Sequence, residues 1–136
     1  MENTITIIPV GVIHSKNNSS SVEIFDEYSD ALLGLEGFSH IIILAWFHAN
    51  DTRQKRAILR VHPWGNRNYP LTGVFATRSP VRPNPVSHFT SRILSVKDNI
   101  VQIESINAFE GSPVIDLKPF IPAEDAPSNI KLPDWI

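Results

Sequence analysis

The sequence has 136 residues and no cysteine. That excludes disulfides, thiolate nucleophiles, zinc ribbons and iron–sulfur clusters, and it suits a reducing cytoplasm. No run approaches about 18 consecutive apolar residues, so no membrane-spanning helix is expected. The first residues, Met1-Glu2-Asn3-Thr4, place no basic cluster ahead of an apolar run, so no secretory leader is expected. G-x-S-x-G, H-E-x-x-H, P-loop and G-x-G-x-x-G patterns are also missing. The familiar hydrolase, metalloprotease and dinucleotide classes therefore have no motif support. The five histidines (His14, His40, His48, His62 and His88) show no zinc-ligand spacing, so no metal is expected.

A further absence is local. Residues 52–97 contain nine Lys and Arg and no Asp or Glu, while residues 1–51 and 98–136 carry net charges of −6 and −5. Such a basic block suits an anionic partner, a nucleic-acid backbone or a phosphate. Pairing of the same residues with the acidic flanks is the alternative.

What is present points to a mainly β fold. Ile5–Ile13 is β-branched and reads as a strand, with Pro9 placing it at an edge or a bulge. Lys16–Ser21 reads as a polar loop, and Val22–Phe25 as a short strand. Asp26 reads as the N-cap of a short helix closed by Gly34. His40–His48 is the clearest strand; both of its faces are apolar, as in a strand covered on two sides. Further strands are expected over Ala57–Val61, Thr72–Thr77, Phe89–Val96, Ile100–Ile106 and Val114–Leu117, with a hairpin at Lys97-Asp98-Asn99. Eleven prolines, many short strands and few helical segments predict a single-domain β-barrel over 1–136, not a doubly wound cofactor fold.

Two segments carry chemistry. In Arg78-Ser79-Pro80-Val81-Arg82-Pro83-Asn84-Pro85, three prolines within six residues restrict the backbone, so the loop loses little entropy on ordering. It can hold Arg78, Arg82 and Asn84 in fixed directions, and arginine's donor fork suits phosphate or carboxylate. A proline-rich crossover with solvated arginines is the alternative. Glu110-Gly111-Ser112-Pro113 sets a glycine ahead of an apolar strand, either for close approach to a ligand or as an ordinary turn.

Three blocks together resemble the TsaA-like (TrmO) family: Leu35–Leu44, Gly73–Pro85 and Glu110–Phe120, with Gly11–Ser15 also similar. The resemblance runs in order along nearly the whole chain. It implies a non-Rossmann β-barrel methyltransferase that uses S-adenosylmethionine and methylates N6 of threonylcarbamoyladenosine beside the tRNA anticodon. It also implies a cytoplasmic homodimer, with no membrane association, and a cofactor pocket near the subunit interface. By matching motif positions, the cofactor-binding residues are His48, Ala49, Arg78, His88, Glu110, Gly111, Ser112 and Pro113. Arg82 and Asn84 fall to the substrate, and Trp46, Trp64 and Phe75 are candidates for base stacking, with a core position the alternative for Trp46. The proton acceptor is left open among Glu110, His88 and a backbone carbonyl. This chain departs from the family at Lys16–Ser21, which lacks the family's Pro-Gly segment. It departs again at Ser87, where most members have Gly, at His88, where an apolar residue is common, and at Asn107 and Glu110, where Asp is common. The alternatives are a methyltransferase with another substrate and a module that binds S-adenosylmethionine or RNA without turnover.

Overall fold

A computed structural model of the chain describes residues 3–136; Met1 and Glu2, the start of the stretch read for a leader, lie outside the described residues. Strands β1 (Gly11–Lys16) and β2 (Ser19–Ile24) form an antiparallel hairpin. Its turn is Asn17-Asn18, at φ 52° and 60°. Asparagine tolerates left-handed backbone better than most residues, and two such residues in succession match the twist of the flanking strands. The loop expected over Lys16–Ser21 is therefore only two residues long, and its serines enter β2. Ser20 is buried, its hydroxyl accepting from the Ile106 N–H at 3.1 Å. Gly11 opens β1 because a Cβ there would press into the Glu23 backbone carbonyl.

The remaining strands are β3 (His40–Trp46), β4 (Arg60–Val61), β5 (Thr72–Gly73), β6 (Val86–Lys97), β7 (Ile100–Ile103) and β8 (Ser112–Pro119). Six of them close into a barrel in the order β1-β2-β7-β6-β3-β8, while β4 and β5 pair as a separate two-stranded ladder. The fold is mainly β, as the sequence predicts. Ile13, Val22, Ile41, Ile43, Ala45, Val101, Ile103 and Val114 fill the barrel and are all buried. Full burial of such a side chain stabilises by about 1.5–3 kcal/mol. On β3, Ile41, Ile43 and Ala45 are inside and Ile42 is buried on the opposite face. That is the two-sided cover its composition requires.

Several local expectations need correction. Residues 3–10 form no strand, and Ile5, Ile7 and Ile8 are exposed. Pairing begins only at Val10, whose N–H donates to the Val114 carbonyl at 2.8 Å. Asp26 is not a cap; it is the first residue of a 3-10 turn, Asp26–Leu32, whose N-cap is Phe25. β3 stops at Trp46, and His48 begins a 3-10 turn, His48–Asn50. Of Ala57–Val61 only Arg60 and Val61 pair, and Val74–Ala76 turns as 3-10 helix instead of extending β5. Two short helices complete the set, α1 (Arg53–Arg56) and α2 (Pro122–Asp125).

The chain divides into two units. The first comprises Met1–Trp46 and His88–Phe120 and holds the barrel core. The second comprises Phe47–Ser87 and Ile121–Ile136 and holds the β4–β5 ladder, the proline-rich loop and the C-terminal segment.

Candidate functional site

In the first unit, the corner leading into β8 is built around His14. Its Nε2 lies 2.8 Å from Glu23 Oε1 and its Nδ1 lies 3.0 Å from Glu110 Oε2. Ionised carboxylates only accept, so both ring nitrogens donate when the ring is an imidazolium. The hydrogen bond to Glu23, then that to Glu110, raises the His14 pKa above its ordinary 6.5. Glu110 also accepts from the Ser15 N–H at 2.7 Å. That bond, followed by His14, holds the Glu110 pKa below its ordinary 4.5. Gly111 adopts φ 82°, where a side chain would be strained, and its N–H donates to the Ile13 carbonyl at 2.9 Å. The buried Ser112 hydroxyl donates to the Phe109 carbonyl at 2.7 Å, and Pro113 faces Val12 in the β1–β8 register. Glu110–Pro113 is thus a fixed, anionic corner. His88 is exposed on β6.

In the second unit, the proline-rich loop is braced by arginines. Arg82 Nη1 donates to the carbonyls of Thr77 and Ser79 at 3.2 and 3.0 Å. Arg56 reaches over from α1: its Nε donates to the Pro83 carbonyl at 2.7 Å, and its Nη2 to Asn84 Oδ1 at 3.1 Å. Its Nη1 meets Asp51 at 3.2 Å. Phe47, the residue before His48, donates its N–H to the Pro85 carbonyl at 2.7 Å. The turn carrying His48 and Ala49 is thereby tied to the end of the proline loop. Arg82 and Asn84 both serve in holding that loop. Among the described residues, nothing hydrogen-bonds or pairs with the Arg78 guanidinium.

Arg78 lines a cavity of about 520 Å³ within this unit, together with His62, Trp64, Phe75 and Trp135. Small-molecule sites commonly span about 300–1,000 Å³. Among the stacking candidates, Trp64 and Phe75 line this cavity; Trp46 lies at the end of β3 in the first unit, half-buried. Sequence reasoning passed over Glu23, Arg56 and Trp135. The first needed the register that sets Val12 opposite Glu23. The other two depend on contacts spanning 27 or more residues along the chain, for which local patterns hold no signal. Among the described residues no group of three His, Asp or Glu is placed to hold a metal ion. No described helix is long and apolar enough to cross a membrane.

Fold and site define a class: a small antiparallel β-barrel protein bearing a proline-braced arginine beside an aromatic cavity. Residues 4–126 match the tRNA-methyltransferase O N-terminal domain family, and the chain belongs to it. A probable S-adenosyl-L-methionine-binding protein of Methanocaldococcus jannaschii is 46% identical over 119 residues, covering 88% of this chain and 94% of that protein. The tRNA (adenine(37)-N6)-methyltransferase of Mus musculus is 38% identical over 109 residues, 80% of this chain but only 25% of the mouse protein. A crystal structure of TrmO from P. aeruginosa superposes with TM-score 0.75 at 24% identity, over 99% of this chain and 63% of that one. At that identity the likeness speaks to the fold.

Proposed function

We propose that the protein is an S-adenosylmethionine-dependent tRNA methyltransferase, acting on N6 of threonylcarbamoyladenosine in the anticodon loop. The observation that carries this reading is Arg78: a rigid loop holds it beside a cavity, and among the described residues its guanidinium has no partner. The family and the names of the archaeal and mouse relatives supply the chemistry.

The residues present fit S-adenosylmethionine. Taken unit by unit, the Arg78 guanidinium of the second suits its carboxylate, and the Glu110 carboxylate of the first suits its cationic groups. The residues that would hold it are, by motif position, His48, Ala49, Arg78, His88 and Glu110 to Pro113. Bound there, it would supply a methyl group on a sulfonium, which needs no metal to be electrophilic.

The chain's own contribution is placement, since holding two reactants in line removes much of the entropic barrier. A carbamoylated N6 is a weak nucleophile, so its proton must be taken up. A carboxylate with a lowered pKa is a poor base. Glu110 therefore acts as a fixed anion, and His88 or a backbone carbonyl is left as the proton acceptor. Arg82 and Asn84 orient the substrate through the donors that the loop leaves them. In this reading residues 1–136 work as one domain, in the cytoplasm, as a homodimer. The exposed Ile5, Ile7, Ile8 and Leu33 suit burial in a partner.

The test is binding of radiolabelled S-adenosylmethionine, followed by transfer to tRNA with and without the threonylcarbamoyl group. Transfer only to the modified tRNA is expected; transfer to another RNA would keep the reaction and change the substrate. A second reading, a binding module without turnover, is favoured by the name of the M. jannaschii relative, which mentions binding alone. Tight cofactor binding with no transfer to any RNA would establish it.

A further inference from the structure

We propose that the cavity of the second unit holds an unpaired RNA base stacked on Trp64, with the other Lys and Arg of residues 52–87 serving the adjoining phosphates. The inference deepens the reading above and rests on RNA being the substrate class.

Trp64 is 72% exposed and Phe75 83% exposed, although large aromatic side chains are normally well covered. The backbone holds Trp64 in this position. It sits at φ 54° and ψ 24°, a region that bulky residues rarely adopt, and Gly65 follows at φ 65°. The Gly65 N–H donates to the His62 carbonyl at 3.0 Å, and the Asn66 N–H to the Pro63 carbonyl at 3.1 Å. The turn is therefore locked while the ring it presents stays in solvent, an arrangement that serves presentation more than packing.

The neighbours leave room for a flat ligand. Tyr69 and Trp135 meet Trp64 at interplanar angles of 65° and 72°, with centroids 5.4 and 6.1 Å away. No described ring lies parallel upon it, and the exposure of the side chain leaves indole surface for stacking. His62 gives its Nδ1 proton to the Tyr69 carbonyl at 2.8 Å, which leaves Nε2 as the ring's remaining polar atom for a base edge.

Charge selects the occupant. Residues 52–87 hold seven Lys and Arg and no acid, and Arg78 is a cavity wall. An apolar peptide or lipid tail would gain nothing from that charge, whereas a nucleotide combines a flat face with an anion. Bases in a duplex have no free face, so the ligand is single-stranded.

The experiment measures binding of a fluorescein-labelled, mixed-sequence single-stranded RNA of about ten nucleotides. A duplex of the same length and S-adenosylmethionine are measured in parallel. Trp64→Ala is expected to weaken single-stranded RNA binding by at least about fivefold. Trp64→Phe keeps most of the affinity, and cofactor affinity stays at the wild-type value in both variants. Phe75→Ala, which removes an exposed ring, is expected to show the same selective loss and guards against misfolding of the Trp64 variant. Wild-type RNA affinity in Trp64→Ala overturns the proposal. So does equal loss of cofactor and RNA binding in Phe75→Ala, which would give the cavity to the cofactor. If wild-type protein binds RNA as expected but transfers no methyl group, the methyltransferase reading fails while this one stands.

Discussion

His14 and Glu110, 96 positions apart in sequence, meet at 3.0 Å between ring nitrogen and carboxylate oxygen. The contact pins the corner ahead of β8 to β1, and Glu23 on β2 engages the other nitrogen. One histidine ring thus joins the barrel hairpin to the segment proposed to face the methyl donor.

The pH dependence follows from the directions of the two shifts. The raised His14 pKa gives stability that is full below 6.5 and fades as pH rises through its folded value. The lowered Glu110 pKa gives stability that is full above 4.5 and fades as pH falls through its folded value. The difference in melting temperature between wild type and His14→Gln should therefore be largest between 4.5 and 6.5 and shrink toward alkaline pH. A constant difference across pH would show that the charge on His14 is irrelevant.

Arg78 and Arg82 should separate cleanly. Arg82→Ala removes two hydrogen bonds within the loop and should lower unfolding free energy by about 1–2 kcal/mol in urea titrations. Arg78→Ala should leave stability within about 0.5 kcal/mol, yet reduce methyl transfer more than Arg60→Ala does. Equal, small losses of transfer in Arg78→Ala and Arg60→Ala would make Arg78 part of a solvated face.

RNA affinity should fall steeply with salt through release of counterions from the phosphates. Binding isotherms over a range of potassium chloride concentrations read the slope. A flat response would remove the basic block from the interface.

Gly11→Ala should cost about 1–3 kcal/mol, because the new methyl group meets the Glu23 carbonyl and the hairpin must shift to admit it. Thermal unfolding reads this directly, and an unchanged melting temperature would show that β1 and β2 can part there without cost.

The strands were legible from β-branched, alternating residues, although only β1–β2 and β6–β7 of the barrel's pairings join neighbours in sequence. The β6–β7 turn and the two-sided burial of β3 could be read from a few residues each. The failures share a cause. Strand propensity describes fit to a neighbour, and Ile5–Ile8 have no neighbouring strand. Asn17-Asn18 and three serines looked like an extended loop, because their polarity hides a left-handed turn and a buried, hydrogen-bonded Ser20. In the proline loop the sequence showed three cationic or polar side chains of equal standing. Only the structure separates Arg82 and Asn84, engaged in the loop's own bracing, from Arg78, which has no partner among the described residues.

Trp135 and Ile136 form part of the cavity wall. Any chain joined after Ile136, a purification handle or a fluorescent reporter among them, sets out from that wall. Cleaving such an attachment after Ile136 should change how the cavity captures ligands.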